Sequence, residues 1–523
     1  MDSPKIKRAL ISVSDKMGLA AFAKALTELG VEIYSTGGTR KHLLNEKIPV
    51  IDVSEYTGFP EMMDGRLKTL HPKVHGGILC RRDNIEDMNA VAEHKINCFE
   101  LVVVNLYPFE ATVAHEGVTD EEAIENIDIG GPTMVRAAAK NHKFVTIVTS
   151  PEQYSSVLDE IKRNGSTTLQ LRRSLAKDAF THTGAYDTAI SQYFIERSEE
   201  GAAFPASLSM TFSRGTVLRY GENPHQQAAV YVDKKYKGPS VVTARQLNGK
   251  ELSYNNILDI DSALAIVRGF REPAVAVLKH NNPCGAAIAA TASEAVKNAM
   301  EGDPMSAFGS VIGFNCPVDK PSAEYLATPG LFVEAIVAPE FLPDAIEILK
   351  TQPKWKENVR LLQCGQFGAA PKRWAVRPLE GGALYQEADV LTDPESEWTV
   401  VTEQKPTAEQ MNDLRFAWEL VRHVKSNAIT VAKNRMLLGA GAGQMSRVDS
   451  VEVSLKKAGN RVKGAVLASD AFFPFPDSIE LAAANGVVSI IQPGGSRKDD
   501  ASIEACNKYG LSMIFTGRRH FKH

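Results

Sequence analysis

Residues 9–39 read ALISVSDKMGLAAFAKALTELGVEIYSTGGT, and their pattern decides the class of fold. The apolar run at 9–14 has the length of a buried strand. Leu19, Phe22, Leu26 and Leu29 then recur at spacings of three and four, the period of a helix with one apolar face. VEIYST at 31–36 is a second apolar run, so the stretch is a βαβ unit, in which parallel strands need a crossover helix. ELVVVNLY at 100–107 and KFVTIVTS at 143–150 add two strands. The segment from Leu169 to Phe194 reads as a long helix closing the unit. The expectation is a doubly wound α/β domain on a parallel sheet rather than an α+β mixture.

The whole chain has 523 residues, with 59 Lys and Arg against 63 Asp and Glu, a formal net charge of −4. At about 100–200 residues per domain this is room for three or four domain-sized units. Charged residues at 23% and hydrophobic residues at 44% are ordinary globular composition. Nothing in that balance favours nucleic acid or an anionic membrane as partner. The cysteines are Cys80, Cys98, Cys284, Cys316, Cys364 and Cys506, with no CxxC pair, which argues against a disulfide framework or a zinc knuckle. MDSPKIKRAL runs into a strand without the apolar stretch of a secretory signal. No apolar run reaches the ~18 residues of a membrane span. A reducing, cytoplasmic setting is expected.

SEEGAAFPASLSMTFSRG at 198–215 has no sustained period and mixes Gly, Pro and Ser, so a domain boundary is expected between residues 199 and 200. Beyond it PAVAVLKH, SVIGF, LFVEAIVA, AITVAK, GAVLASD and VVSIIQ read as buried strands, so 200–523 is again α/β. An internal echo runs through it. AVAVLKHNNPCGAAI and MSAFGSVIGF are answered by LVRHVKSNAITVA and SDAFFPFPDSIELA, each half carrying a Lys followed closely by an Asn and later an Ala-Phe pair. Duplication of one α/β unit, split near 380, explains this, and so does chance similarity of buried strands.

Two turns of the first domain have the chemistry of anion sites. SVSDKMGL places Ser12, Ser14 and Lys16, and STGGTRK places Ser35, Thr36, Gly37, Gly38 and Thr39, each between a strand and a helix start. Small residues admit an anion to the backbone, hydroxyls and N–H groups donate to it, and the helix dipole favours it. The ordinary alternative is capping and turn formation; neither turn is a Walker loop or GxGxxG. GFPEMMDGRLKTLHPKVHGGIL then gathers Asp64, Arg66, Lys68, Thr69, His71, Lys73 and His75, which suits an anionic substrate or a solvated basic loop. NLYPF adds Asn105 and Tyr107. ENIDIGGPTMVRAAAKNH adds Asp128, Gly130, Gly131 and Lys140. In the second region VLKHNNPCGAA places Lys279 and His280 at a strand end before a turn, where ligands of open α/β sheets bind.

These segments, with AFTHTGAYD, LRYGENPHQ, LNGKELSYNN, DPMSAFG, KSNAI, GAGQMSR, SDAFFPFPD and GRRHFKH, resemble in order and over essentially the whole chain one family. It is the bifunctional purine biosynthesis family, in which aminoimidazole carboxamide ribotide (AICAR) formyltransferase is joined to inosinate (IMP) cyclohydrolase. The resemblance implies a methylglyoxal-synthase-like domain, 1–199, that closes formyl-AICAR (FAICAR) to IMP. It implies a duplicated cytidine-deaminase-like region, 200–523, that transfers the formyl group from 10-formyltetrahydrofolate.

Carried over by residue, the resemblance gives Ser12, Ser14, Lys16, Thr36, Gly37, Gly38 and Thr39 the phosphate end of the ribotide. It sets Arg66, Lys68, Thr69, Asn105, Tyr107, Asp128, Gly130 and Lys140 around the reacting base. Cyclisation needs a polarised formyl oxygen and a held attack geometry. Lys68 and Lys140 suit the oxyanion, Tyr107 and Asp128 the protons. In the second region His280 is the expected base that relieves the attacking amine of its proton. Lys279, as a cation, is expected to stabilise the oxyanion and protonate the leaving nitrogen. The resemblance assigns Arg219, Tyr220, Asn256 and Arg519 to the ribotide and Asn427 to orienting the base. It assigns Phe472, Phe475 and Asp477 to the folate, although core packing is the simpler reading of the Phe pair.

Zinc deaminases need HxE with PCxxC, whereas this chain has PCG alone, so no metal is expected and Cys284 receives no role. A tightly bound organic cofactor is not expected either, and any monovalent cation is left open. A homodimer with composite folate sites is implied. The competing reading is a nucleotide-sensing module fused to a metal-free deaminase-like domain. The cations of GRLKTLHP together with Lys140 exceed what a sensor of phosphate needs.

Overall fold

The computed structural model describes residues 3–115, 117–197, 204–233, 236–368, 373–390 and 393–523, apart from the side chain of Asp64. Packing divides the chain into two compact units, Met1–Thr211 and Phe212–His523. The boundary expected between 199 and 200 lies outside the described residues.

In the first unit the opening stretch forms β1 (Arg8–Val13), α1 (Leu19–Glu28) and β2 (Glu32–Ser35). The chief elements that follow are α2 (Gly37–Asn45), β3 (Ile51–Asp52), α3 (Pro72–Leu79), β4 (Leu101–Asn105), α4 (Gly130–Lys140), β5 (Thr146–Val148) and α5 (Leu169–Arg197). All five strands are parallel, in the order β3-β2-β1-β4-β5. Parallel strands covered on both faces read as unbroken apolar runs, which is why LVVV lies buried beside ALISV. α1 buries Leu19, Phe22 and Leu26, whereas Leu29 is exposed because the helix ends one residue before it. The chain moves outward from β1 to β2 and β3, then returns to β4 and β5 on the other side. The β1/β4 pair is therefore the switch point, where diverging loops leave a crevice at the strand carboxyl ends.

The second unit opens with a hairpin, β6 (Ser213–Leu218) and β7 (Ala228–Val232). It continues through β8 (Arg245–Asn248), α6 (Tyr254–Val267), β9 (Ala274–Lys279), β10 (Asn282–Ile288), α7 (Ala292–Gly302), β11 (Ser310–Phe314), β12 (Val333–Ala338) and β13 (Arg360–Gln363). After a second hairpin, β14 (Trp374–Leu379) and β15 (Gly382–Glu387), the succession repeats. It runs β16 (Thr399–Val400), α8 (Ala408–Val421), β17 (Ile429–Lys433), β18 (Met436–Gly441), α9 (Arg447–Ala458), β19 (Val466–Ser469), β20 (Ser489–Gln492) and β21 (Ser512–Phe515).

All but the two hairpins share one twelve-stranded sheet, centred on the antiparallel β10/β18 pair. Outward from that centre the order is β10-β9-β11-β12-β13-β8 one way and β18-β17-β19-β20-β21-β16 the other. The halves are duplicates, and the residue 380 region is the hairpin between them. The sequence echo is corrected in register. AVAVLKHN corresponds to AITVAKNR, so Lys279 answers Lys433 and the turn His280-Asn281 answers Asn434-Arg435. Lys425 and Asn427 precede β17 instead. The Ala-Phe pairs do not correspond either, since Ala307-Phe308 precede β11 and Ala471-Phe472 follow β19.

Gly285 of β10 and Gly439 of β18 occupy matching places. A Cβ on Gly285 would lie 1.9 Å from the Ala299 carbonyl oxygen of α7, and one on Gly439 2.1 Å from that of Ser454 on α9. Each helix thus lies closer to its hairpin than any side chain permits.

The C-terminal segment is fastened by a buried imidazole. His520 Nδ1 lies 2.6 Å from Asp389 Oδ2 and Nε2 2.8 Å from Asp393 Oδ2. The Trp418 indole also donates to Asp393, at 3.0 Å, and Arg422 to Asp389, at 3.0 Å. Burial opposes charge on His520, but the two carboxylates outweigh it and push the imidazole up to about 9.

Gly285→Ala is expected to cost about 1–3 kcal/mol by overpacking. Gly184→Ala within α5, where nothing lies within 4 Å, should instead stabilise by about 0.5–1 kcal/mol. Denaturant midpoints of the two variants check the opposite signs. For His520 the folded value lies above the ordinary 6.5, so its contribution is complete below pH 6.5 and lost as pH rises through about 9. His520→Gln should therefore melt lower at pH 6 and converge on the parent by pH 10. Melting curves that stay parallel across that range would refute the assignment.

Candidate active sites

At the switch point of the first unit, strand ends are held by side chains that reach across the crevice. Asn105, last residue of β4, accepts from the backbone N–H of Ser14 at 2.6 Å and of Asp15 at 2.9 Å, and donates to Asp15 O at 2.9 Å. Thr39 of α2 accepts from Val13 N–H and donates to Val13 O, both at 3.0 Å. Both residues therefore position the loop after β1, with these polar atoms engaged by backbone. Ser12 lies within β1 opposite Val104, and Lys16 donates to Ser14 O at 3.2 Å.

The start of α2 is open. Its N-cap, Thr36, makes no side-chain cap, Gly37 is left-handed at φ +52°, and nothing lies within 4 Å of a Cβ on Gly38. The unpaired N–H groups of a helix start attract anions. The Lys68 ammonium stands there, 3.3 Å from the place a Gly37 Cβ would take and 2.9 Å from Glu61 Oε1. Glycine at 37 is what makes room for that cation. Thr36 reaches the same Glu61, at 3.5 Å.

A second cluster forms where α4 begins. Asp128 Oδ1 accepts from Gly131 N–H at 2.7 Å, and the Tyr107 N–H also donates to this carboxylate. Burial raises the Asp128 pKa against those two hydrogen bonds. Thr69 Oγ1 lies 3.0 Å from the position of a Gly130 Cβ, so Gly130 admits it. Arg66 pairs with Glu125. Tyr186, from AFTHTGAYD, accepts from Asp128 N–H at 2.8 Å and donates to Asn126 O at 3.2 Å. It shapes the cluster and had no role in the sequence reading. Lys140 stands at the other end of the same helix. Gly130 and Lys140 are the two ends of α4, roughly 15 Å apart at 1.5 Å per residue. A cavity of about 970 Å³ opens on the β5 side and takes in Ser14 and Asn105 alongside Thr149, Asp178 and His182.

In the second unit a cavity of about 770 Å³ gathers Arg219, Tyr220, Asn256, Lys279 and His280 at the carboxyl end of β9. His280 and Asn281 are both left-handed, φ 53° and 61°, as a two-residue type I′ hairpin turn requires. Asp259 of α6 holds this turn, accepting Asn281 N–H at 2.6 Å and the His280 N–H as well. Burial raises the Asp259 pKa against those bonds. The Lys279 ammonium donates to Phe308 O at 2.7 Å and Gly309 O at 3.3 Å. Asn256 closes a capping box with Ser253, its Oδ1 accepting from both N–H and hydroxyl. Arg219 lies over the Tyr220 ring, 4.8 Å from its centre. Asp259, Lys250, Glu334 and Arg360 also line the cavity and were not singled out from sequence. The spacing of Asp259 from the turn is a long-range fact with no local motif.

The remaining expected residues lie outside that cavity, on the other half of the sheet. Asn427 donates to Gln444 O and Met445 O, and accepts from Arg447 at 2.8 Å. It does not touch His280; the KSNAI segment meets that turn through Lys425 N–H, which donates to Asn282 Oδ1 at 3.2 Å. Phe473, 1% exposed, is the core residue of FFPFPD, while Phe472 and Phe475 are exposed, so core packing does not account for them. Asp477, the first residue of its helix, accepts from Ser478 N–H at 2.7 Å. Arg519 stacks on Phe521. Cys284 is half-buried against Val277 O, and desolvation pushes its thiol up to about 12. Among the described residues no group of three or more His, Cys, Asp or Glu is arranged to hold a metal ion, and no helix is long and apolar enough to cross a membrane.

Comparison with known proteins gives two adjoining family matches, the second of which begins within the first compact unit. Residues 18–133 match the MGS-like domain and residues 138–457 the AICARFT/IMPCHase bienzyme family. The bifunctional purine biosynthesis protein PurH of Rhodopirellula baltica is 58% identical over 522 residues, 100% of each chain. PurH of Bacillus subtilis is 50% identical over 518 residues, 99% of this chain and 100% of that one. PurH of a Thermoanaerobacter species is 50% identical over 517 residues, with the same coverage. On a bienzyme match beyond half the chain and relatives aligned from end to end, this protein belongs to the AICARFT/IMPCHase family of bifunctional purine biosynthesis proteins.

Proposed function

We propose that the chain catalyses the last two steps of IMP synthesis, formyl transfer from 10-formyltetrahydrofolate to AICAR in the second unit and closure of FAICAR to IMP in the first. The observation that carries the first step is the cavity that brings Arg219, Tyr220, Asn256, Lys279 and His280 together. Folate enters as cosubstrate, and neither zinc nor a resident organic cofactor takes part.

In formyl transfer the AICAR amine attacks the formyl carbon while His280 takes its proton, a task suited to an imidazole near neutral pH. An ammonium has three donors, and Lys279 spends two on Phe308 and Gly309 carbonyls. The third is free for the developing oxyanion, and for protonating the departing folate nitrogen. Arg219, beside Tyr220, and Asn256 receive the ribotide. Phe472, Phe475, Asp477, Asn427 and Arg519 lie outside the cavity of their own chain, which supports a homodimer whose second copy completes the folate and ribotide sites.

In cyclisation the FAICAR carboxamide nitrogen attacks the formyl carbon, a proton passes to the oxygen, and water leaves. Lys68 stabilises the oxyanion from its place near the start of α2, while Thr69 stands at the start of α4. Asp128, its pKa raised by burial, and Tyr107 handle the protons. The phosphate lies at the open start of α2, between Thr36, Gly37, Gly38 and Lys16. Lys140, at the far end of α4 from Gly130, remains the second candidate cation for this step.

An assay that follows folate release and IMP formation separately tests both halves. His280→Ala should lower folate release by about 10²–10⁴-fold and leave cyclisation of supplied FAICAR within about twofold. Lys68→Ala should do the reverse. Equal loss of both activities in either variant would overturn the division of labour.

A further inference from the structure

Two of the six cysteines touch. Cys80 ends α3 and Cys98 lies in the segment leading into β4, with their sulfurs 3.5 Å apart. The two backbones are already joined at this point. Phe99 N–H donates to Gly77 O at 3.0 Å, and a Cβ on Gly77 would meet Asn97 O at 2.1 Å. Cys80 is buried, whereas Cys98 is half-buried and reachable from solvent. Arg82 lies against the pair. It donates to Phe99 O at 2.7 Å and Phe144 O at 2.5 Å, while its Nε–H is buried without a hydrogen-bond partner. The guanidinium also pairs with Glu100 Oε1 at 3.6 Å, and its one buried donor without a partner is suited to an anion on the neighbouring sulfur.

We propose that Cys80 and Cys98 form a dithiol oxidation site, at which Cys98 reacts with a small hydroperoxide and the product closes to an internal disulfide. The Cys98 thiolate attacks one peroxide oxygen, the O–O bond breaks, and hydroxide leaves, giving a sulfenic acid. The Cys80 sulfur then attacks that sulfur, the S–O bond breaks and water leaves. Two thiols and one hydrogen peroxide thus yield one disulfide and two waters, sulfur losing two electrons and peroxide gaining them.

The order of attack follows from the surroundings. The Cys80 S–H bond and Arg82 hold the Cys98 pKa below the ordinary thiol range. The same hydrogen bond and burial raise Cys80. Burial pushes Cys284 and Cys506 up to about 12 and Cys316 and Cys364 up to about 11, so none of the other four competes with Cys98 for the first attack on peroxide. The bond would tie the end of α3 to the start of β4, on the helix that directly follows Lys68 and Thr69. It is a property of this chain's own cysteines and stands apart from the catalytic reading.

The test uses the full chain, reduced with dithiothreitol, freed of it and treated with hydrogen peroxide before alkylation. The intact mass should fall by about 2 Da, four of the six thiols should remain alkylatable, and one cross-linked peptide pair should contain Cys80 and Cys98. Dithiothreitol should reverse all three changes. In Cys80→Ala the reaction should stop at a Cys98 sulfenic acid that dimedone captures. Before any oxidation, Cys98 of the parent chain should react with iodoacetamide ahead of the other five. A cross-link through any other cysteine, oxidation of Cys98 to sulfinic acid without a cross-link, or six thiols still free after treatment would each overturn the proposal.

Discussion

A single carboxylate holds the turn on which the second unit is organised. His280 and Asn281 both adopt the left-handed conformation, which side chains disfavour. Such a pair persists only where the surroundings over-determine it. Asp259 supplies that determination by receiving Asn281 N–H at 2.6 Å from across the sequence. With the turn fixed, β10 returns along β9, Gly285 accepts the close approach of α7, and Lys279 and His280 stand at the cavity. The same device recurs in the second half, where Asp413 receives the N–H groups of Asn434 at 3.0 Å and Arg435 at 2.6 Å. Duplication thus made two identical turns, and only one carries an imidazole.

The first unit solves a related problem by different means. At its switch point the loops after β1 and β2 would be free to wander. Asn105 and Thr39 tie them to backbone, and Glu61 keeps Lys68 at the start of α2. Much of what looks like a ligand set is therefore scaffolding that aims a smaller number of groups. The anionic substrates meet local charge, since the chain as a whole carries −4. Low-dielectric crevices make such local cations effective where net charge gives no attraction.

How far the sequence could be read depended on how local the physics was. The βαβ pattern of residues 9–39 was legible because both periodicities are written in neighbouring residues. The duplication was visible only as an echo, and its alignment was off by one strand, because Lys-Asn pairs recur by chance while strand order does not. Gly130 and Lys140 share one motif, yet helix rise places them at opposite ends of α4. Asp259, Tyr186 and the Cys80–Cys98 contact had no local signature, since each acts on residues far along the chain.

The sequence by itself determined the α/β class, the two-part organisation, the family, and most of the residues that carry charge or a hydroxyl near each crevice. Those follow from short-range pattern and from motifs long enough to be specific. The tertiary structure alone decided which of those residues meet, which are spent on backbone, and which stand on the far side of a helix or the far half of the sheet. The reason is that polar side chains act over about 3 Å, and only the packed fold sets distances that small between positions so distant in the chain.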